Sequence, residues 1–333
     1  MRKYFVVVGM VILLLIATIP LRADGPGTTI PVDSQEVTLP EPTGSAAVGR
    51  VGFDWVDSTR LETFSNDKND HRELMVWVWY PALRDTNATP ADYLPINWRQ
   101  AREQAMGFGA GLATQNLAKV HVHALDAAPL AVSSQPYPVL IMQPGLGPIA
   151  TDYTTFAEEF ASHGYIVVGS TPTYSAQVVV FPDNRIIRQS PNATVADNAL
   201  PQAAQTMLDA LVNIWAADNI FIMNQLERLN TADPAGRFTH HLDLQAIGVW
   251  GHSFGGASAA QTCRLDDRCK AGADLDGTLY GDVIQVGIQQ PFMFIWSEPI
   301  NDPLGQQTRR DVQSVFNRLD HGGYQLTIQG TAH

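Results

Sequence analysis

Basic residues are scarce. Lys and Arg number 21 against 33 Asp and Glu, and they never gather into a run. A chain without a basic stripe offers no electrostatic footprint for a phosphate backbone, so nucleic acid is excluded as a partner. The formal charge of −12 likewise gives no electrostatic help in docking on anionic lipid. Cysteine is almost absent, with two in 333 residues, Cys263 and Cys269. Both lie far from the N-terminus, so there is no lipobox for acylation. Metal-ligand clusters are also missing. His121 and His123 are two apart, but nothing else of ligand type accompanies them, and neither a metal site nor a cofactor is expected.

What is present is ordinary for a globular protein with a sizeable core: 45% hydrophobic and 16% charged residues. The N-terminus stands apart. Arg2 and Lys3 precede an almost unbroken apolar run from Tyr4 to Pro20, and Leu21-Arg22-Ala23 offers a cleavage site. Residues 1–23 therefore read as a signal peptide, which places the protein in a secreted or periplasmic setting; an uncleaved membrane anchor is the alternative. Cleavage would remove three cations and no acid, taking the charge from −12 to −15. An oxidising compartment permits a Cys263–Cys269 disulfide, stapling the end of one helix to the next strand; two buried thiols are the other reading. Residues 24–45, rich in Pro, Gly, Thr and Ser, read as a linker, and 46–333 as one domain.

Within that domain strands alternate with helices. Val48 to Val56 and Leu74 to Tyr80 read as an antiparallel opening hairpin, and residues 82–135 as a helical insertion over the site, a lid in the fullest version of that reading. Val139 to Met142, Tyr165 to Ser170, Leu244 to Trp250, Ala271 to Leu275, Pro291 to Trp296 and Tyr324 to Ile328 follow as strands separated by helical patterns. This predicts an α/β fold with a mainly parallel, doubly wound sheet.

The chemistry centres on Gly251-His252-Ser253-Phe254-Gly255-Gly256, between an apolar strand and a small-residue helix start. In that setting G-x-S-x-G is a nucleophile elbow. A strained turn lifts the serine hydroxyl clear of the sheet, and only glycines fit around it. Sites in such sheets form at the carboxyl ends of strands. Ser253 ends one strand, Asp276 the next, Glu298 with Asp302 close behind the one after, and His333 follows the last. A serine needs a histidine to take its proton, and the histidine needs an acid to hold its tautomer. Spacing alone leaves Asp276, Glu298 and Asp302 open as that acid. The backbone N–H groups of Phe254 and of Leu146, in the turn Gln143-Pro144-Gly145-Leu146-Gly147, are the candidate oxyanion donors.

These pieces resemble the platelet-activating factor acetylhydrolase family, especially its exported bacterial members. The matching segments are Arg72-Glu73-Leu74 to Ala82, Pro138 to Gly147, Phe160-Ala161-Ser162-His163-Gly164-Tyr165 and Leu244 to Ala259. They continue through Leu275-Asp276-Gly277, Gln290 to Glu298 and Leu326 to His333. The resemblance implies an α/β-hydrolase fold and calcium-independent serine ester hydrolysis. It also implies Ser253 as nucleophile, Asp276 as acid, His333 as base, and Leu146 and Phe254 as oxyanion donors. Two departures stand out. Pro144-Gly145 replaces the family's His-Gly, and the family continues past the position of His333, which implies a chain truncated at its C-terminus. The expected substrate is a small-molecule or lipid ester of short acyl chain, the sn-2 acetyl of a phospholipid among them, with transient contact at a membrane or lipoprotein surface. Two other readings are carried forward. One is a cutinase-like polyester hydrolase, which would prefer Asp302 as acid; the other is a non-catalytic hydrolase-fold binding protein.

Overall fold

Apolar patterning sets the layers. In the computed structural model, residues 36–84, 88–106, 116–195, 201–298 and 303–333 are described; residues 1–23, expected to be a signal peptide, the first part of the expected linker and Asp302 lie outside them. The strand β3 (His71–Ala82) is apolar on both alternating faces and lies deep in the sheet. Its Leu74, Val76, Val78 and Tyr80 enter one core layer, while Met75, Trp77 and Trp79 enter the layer on the opposite face. A strand buried on both sides needs helices on both sides. The helices α1 (Ile96–Met106) and α2 (Thr154–Ser162) cover the face of Met75, Trp77 and Trp79. On the other face lie α3 (Pro201–Thr231), α4 (Phe254–Leu265), the single turn α5 (Val283–Val286) and α6 (Pro303–Phe316). Although α3 has the length and composition to cross a bilayer, its Leu211, Val212, Trp215, Ile222 and Met223 are buried in protein.

The main sheet combines β1 (Val37–Thr38), β2 (Ala47–Leu61), β3, β4 (Pro90–Asp92), β5 (Val120–Asp126), β6 (Tyr137–Gln143) and β7 (Ile166–Thr171). It continues with β10 (Leu242–His252), β11 (Cys269–Leu275), β12 (Phe292–Trp296) and β13 (Gly323–Thr327). The spatial order is β1-β5-β2-β3-β7-β6-β10-β11-β12-β13, with β4 paired to β5. The pairs β2–β3 and β3–β7 are antiparallel, and every pair from β7 to β13 is parallel. The chain leaves β6 toward β7 on one side and later inserts β10 on the other. The loops after β6 and β10 therefore diverge, and a crevice opens between them at the carboxyl ends of the strands.

Three expectations need correction. The insertion 82–135 is only partly helical: besides α1 it supplies β4 and β5. The signal was alternation, with Val122 and Ala124 buried and His121 and His123 less so, and the histidines obscured it. The strand expected over Leu74 to Tyr80 is longer at both ends, as β3 runs from His71 through Pro81 to Ala82. The described end of the linker is extended, as expected, but it is tied down. Val37 and Thr38 pair with Val120 and His121, and the Thr43 N–H donates to Glu159 (2.8 Å). His123 Nε2 lies 2.8 Å from the Leu39 carbonyl and His121 3.4 Å from the Glu36 carboxylate, so both rings face this lead segment. A second, two-stranded sheet pairs the buried β8 (Val178–Val180) with the more exposed β9 (Ile186–Arg188). Cys263 and Cys269 are joined by a disulfide across a Cα separation of 5.0 Å, linking the end of α4 to the start of β11.

One buried ion cluster locks the antiparallel side of the sheet to α3. The Arg72 guanidinium donates to Asp218 on α3 (2.6 and 3.1 Å), to Glu62 after β2 (2.8 Å) and to the Thr173 carbonyl after β7 (2.9 Å). Arg60 adds a second cation to Asp218 at 2.9 Å. Burial works to lower the Arg72 pKa, but Asp218 and Glu62 outweigh it and hold the group above its ordinary value. Removing one partner of such a cluster leaves an uncompensated buried charge. Asp218→Ala is expected to lose about 3–5 kcal/mol of stability. Equilibrium urea unfolding checks this, and a loss under about 1 kcal/mol would contradict the role given to the cluster.

Candidate active site

The elbow is built by crowding. A Cβ on Gly251 would overlap the Gly255 backbone, and one on Gly255 would overlap the carbonyls of Gln143 and Pro144 at the end of β6. Both positions must be glycine for β10, α4 and the β6 loop to approach one another. Ser253 between them adopts φ 55° and ψ −123°, outside the usual regions for a residue with a side chain. Its N–H is pinned to the Leu275 carbonyl of the neighbouring strand at 2.8 Å, while its own carbonyl accepts from Gly256 at 3.0 Å. The turn is thus held from both ends, with the hydroxyl at the N-terminus of α4.

His333 and Asp276 meet that hydroxyl. His333 Nε2 lies 2.9 Å from Ser253 Oγ, and Nδ1 lies 2.9 Å from Asp276 Oδ2. A carboxylate can only accept, so Nδ1 carries the proton and Nε2 is free to accept from the serine. Asp276 is itself at φ 59°, in a turn that aims its carboxylate across the end of β12. There it accepts from the Ser297 N–H (2.8 Å) and the Ser297 hydroxyl (2.7 Å). Burial works to raise the Asp276 pKa; the bonds from His333 and Ser297 outweigh it and hold the group at about 2. It is therefore an anion throughout the neutral range. Of the other acids considered, Asp302 lies outside the described residues. Glu298 is exposed, and it is its backbone N–H that donates, to the Thr331 carbonyl at 3.1 Å, in the tail that carries His333.

The two candidate oxyanion donors flank the serine. Phe254 opens α4, its ring edge-on to Trp215 at 4.9 Å and tilted against Tyr280 at 5.6 Å. Leu146 packs against the same cluster, with Phe64 and Leu208. Neither N–H donates to a protein acceptor among the described residues. Gly145, just before Leu146, comes so near the elbow that a Cβ there would lie 3.4 Å from Ser253 Cβ. Pro144 costs the turn one N–H but leaves Leu146 free to donate. A polarised ester carbonyl held here would meet a nucleophile, a base and two amide donors, the set acyl transfer requires.

Three groups were not legible as site residues. Tyr153 presents its hydroxyl to both the Gly145 N–H (3.0 Å) and His252 Nδ1 (2.8 Å). The His252 ring lies 4.9 Å from that of His333, inside the site rather than turned away from it. Asp274, two residues before the acid, is wholly buried, with Oδ1 accepting from the Gly277 N–H at 2.8 Å. Side chains at Gly256 or Gly277 would overlap this carboxyl, so it wedges between the elbow and the acid turn. For Asp274 the glycines at 256 and 277 were the available signal.

A family model described as platelet-activating factor acetylhydrolase, isoform II, matches residues 32–333. A platelet-activating factor acetylhydrolase of Bos taurus is 25% identical over 80% of this chain and 61% of its own length. A probable 1-alkyl-2-acetylglycerophosphocholine esterase of Arthroderma benhamiae is 27% identical over 45% of this chain and 34% of its own. The chain thus spans about three fifths of the bovine relative and a third of the fungal one. Among solved structures, a ferulic acid esterase from Streptomyces cinnamoneus superposes with a TM-score of 0.71 at 26% identity. That match covers 88% of this chain and 77% of the other.

Burial pushes the Asp274 carboxyl up to about 8, with Asp276 adding to the rise and the Gly277 N–H opposing it. In the unfolded chain the same group titrates near 3.8. Between those values the folded state binds the extra proton, so this contribution is intact below pH 3.8 and is lost as pH rises to about 8. Asp274→Asn removes the dependence. The Tm of the variant relative to the parent is expected to climb by several degrees between pH 5 and pH 8.5, read by circular dichroism. A difference that stays flat with pH would refute this account of the buried carboxyl.

Proposed function

Because the chain belongs to the platelet-activating factor acetylhydrolase, isoform II, family, we propose that it is a serine carboxylic-ester hydrolase that works through an acyl-enzyme. The observation that carries the reading is the unbroken file from Ser253 Oγ to His333 to Asp276, with both hydrogen bonds at 2.9 Å. As Oγ attacks the ester carbonyl, its proton passes to His333 Nε2. Asp276, held at about 2 by His333 and Ser297 against the cost of burial, stabilises the imidazolium without taking the proton. The carbonyl electrons move to the oxygen, which Leu146 and Phe254 N–H receive. Collapse of the tetrahedral intermediate breaks the bond to the leaving alkoxide, which takes the proton back from His333. Water then enters by the same route and releases the carboxylic acid.

For substrate, the names of the bovine and fungal relatives support short-acyl esters, including the sn-2 acetyl of a phospholipid. The partly buried Leu146 and Tyr280 beside Phe254 suit an apolar acyl or alkyl group. The likeness to a ferulic acid esterase, which covers most of both chains, favours a second reading in which the ester is aromatic. The polyester reading draws no support from its preferred acid, since Asp276 already occupies the carboxylate position on His333. Export by the leader at residues 1–23 belongs to the same proposal, and the Cys263–Cys269 disulfide suits an oxidising compartment. Transient contact with a lipid surface follows if the substrate is a phospholipid.

The test is a set of esters assayed side by side: p-nitrophenyl acetate through longer acyl chains, a 1-alkyl-2-acetyl phospholipid, and methyl ferulate. Hydrolysis of the acetyl esters with loss of about 10³-fold or more in kcat for Ser253→Ala is expected, with Asp276→Asn down by roughly 10⁴-fold. A fluorophosphonate should label the parent and not Ser253→Ala. No hydrolysis of any ester and no labelling would overturn the reading in favour of a binding protein; preference for methyl ferulate would move the substrate class to aromatic esters.

A further inference from the structure

The oxyanion turn and the elbow belong to different strands, β6 and β10, and their separation decides whether a Leu146 N–H can reach an oxygen on the carbon that Ser253 attacks. One side chain spans the gap. Tyr153, at the entry to α2, accepts the Gly145 N–H at 3.0 Å and lies 2.8 Å from His252 Nδ1. Gly145 immediately precedes the donor Leu146, and His252 immediately precedes the nucleophile. The tyrosine hydroxyl thus ties the residue before one half of the hole to the residue before the serine. We infer that Tyr153 is a positioning residue for the oxyanion hole, with His252 as the acceptor that orients its hydroxyl.

The protonation states suit this bridge. Burial, with Asp152 adding and the Gly145 N–H opposing, pushes the Tyr153 phenol up to about 12, so it keeps its O–H to donate. Burial, helped by the neighbouring His333 and opposed by Asp276, pushes His252 down to about 4, so Nδ1 keeps its lone pair to accept. The bridge is braced from behind. Asp152, the residue before it, accepts from Arg102 of α1 at 2.7 Å and from the Ile149 N–H at 3.1 Å. The space between turn and elbow is tight, since a Cβ at Gly145 would lie 3.3 Å from His252 Nδ1. An error in this spacing matters most when the oxygen carries its full charge. The bridge therefore acts on the transition state rather than on substrate binding.

The inference rests on the proposed esterase reading, and the experiment separates the two. Tyr153→Phe removes the hydroxyl; His252→Leu removes the acceptor; His252→Asn retains it, because Asn Oδ1 falls near the position of Nδ1. With p-nitrophenyl acetate, Tyr153→Phe and His252→Leu are expected to lower kcat about 10- to 100-fold with KM within about twofold, less than the loss of a whole donor. His252→Asn should recover most of the loss. A trifluoromethyl ketone, whose hemiketal carries the oxyanion, should lose affinity by the same factor, and hydrogen exchange at the Gly145 amide should quicken in the two disruptive variants. If the parent hydrolyses the ester while Tyr153→Phe matches it in kcat and in Gly145 exchange, or if only KM moves, the positioning role is refuted. If His252→Asn is as poor as His252→Leu, the acceptor role of His252 is refuted. A parent that hydrolyses nothing would instead refute the esterase reading, and the positioning role of Tyr153 with it.

Discussion

The positive φ at Ser253 is the constraint on which the rest of the site depends. A residue with a side chain adopts that conformation only where its surroundings allow no other. Here Gly251 and Gly255 let β10, α4 and the β6 loop close to backbone contact, and the Leu275 carbonyl captures the Ser253 N–H. The compression that raises the hydroxyl also presses Gly145 against it and brings the acid turn within reach of Gly256. The sheet supplies the background: at the reversal between β6 and β10 the two loops part, and the strained turn faces the opening.

The two aspartates around the acid turn end in opposite protonation states. Asp276 and Asp274 are two residues apart, and burial penalises the charge of each. Asp276 has His333 and both donors of Ser297, and stays ionised; Asp274 has a single amide, and keeps its proton well into the neutral range. What separates them is the number of donors each turn delivers, since the strand is shared. The Arg72 cluster shows the third solution, complete pairing of charges in the interior. His252 and Tyr153 follow the logic of Asp274, because their neutral forms are the ones that hydrogen bond usefully.

Much of this could be read from the chain. Runs such as Leu74 to Tyr80 and Val139 to Met142 are apolar because both faces are covered, and the glycines around Ser253 are dictated by local backbone geometry. Local causes leave local marks. Strand ends marked Ser253, His333 and a choice of three acids, and only the family resemblance singled out Asp276. The parts that could not be read depend on contacts between distant segments. β5 is hidden because His121 and His123 break an apolar pattern, and they face a lead segment some eighty residues upstream. Tyr153 carries no mark of its role along the chain, because that role exists only once β6 and β10 come together beside it. Asp274 falls inside the strand run Ala271 to Leu275, and nothing local shows that Gly256 closes over it.

The route by which His333 arrives has a consequence of its own. β13 pairs with β12 and, among the described strands, with nothing beyond it, and most of its residues are exposed. Past it the tail is fastened by the Ile328 N–H to the Trp296 carbonyl (2.9 Å) and by the Glu298 N–H to the Thr331 carbonyl (3.1 Å). The proposed base is therefore hung from the margin of the sheet, where opening is easiest. On warming, that margin would fray before the interior melts. Turnover would then fade while far-ultraviolet spectra still report an intact fold. Heat tolerance of activity would be set by how firmly one ladder is fastened, and filling the core would do little to raise it.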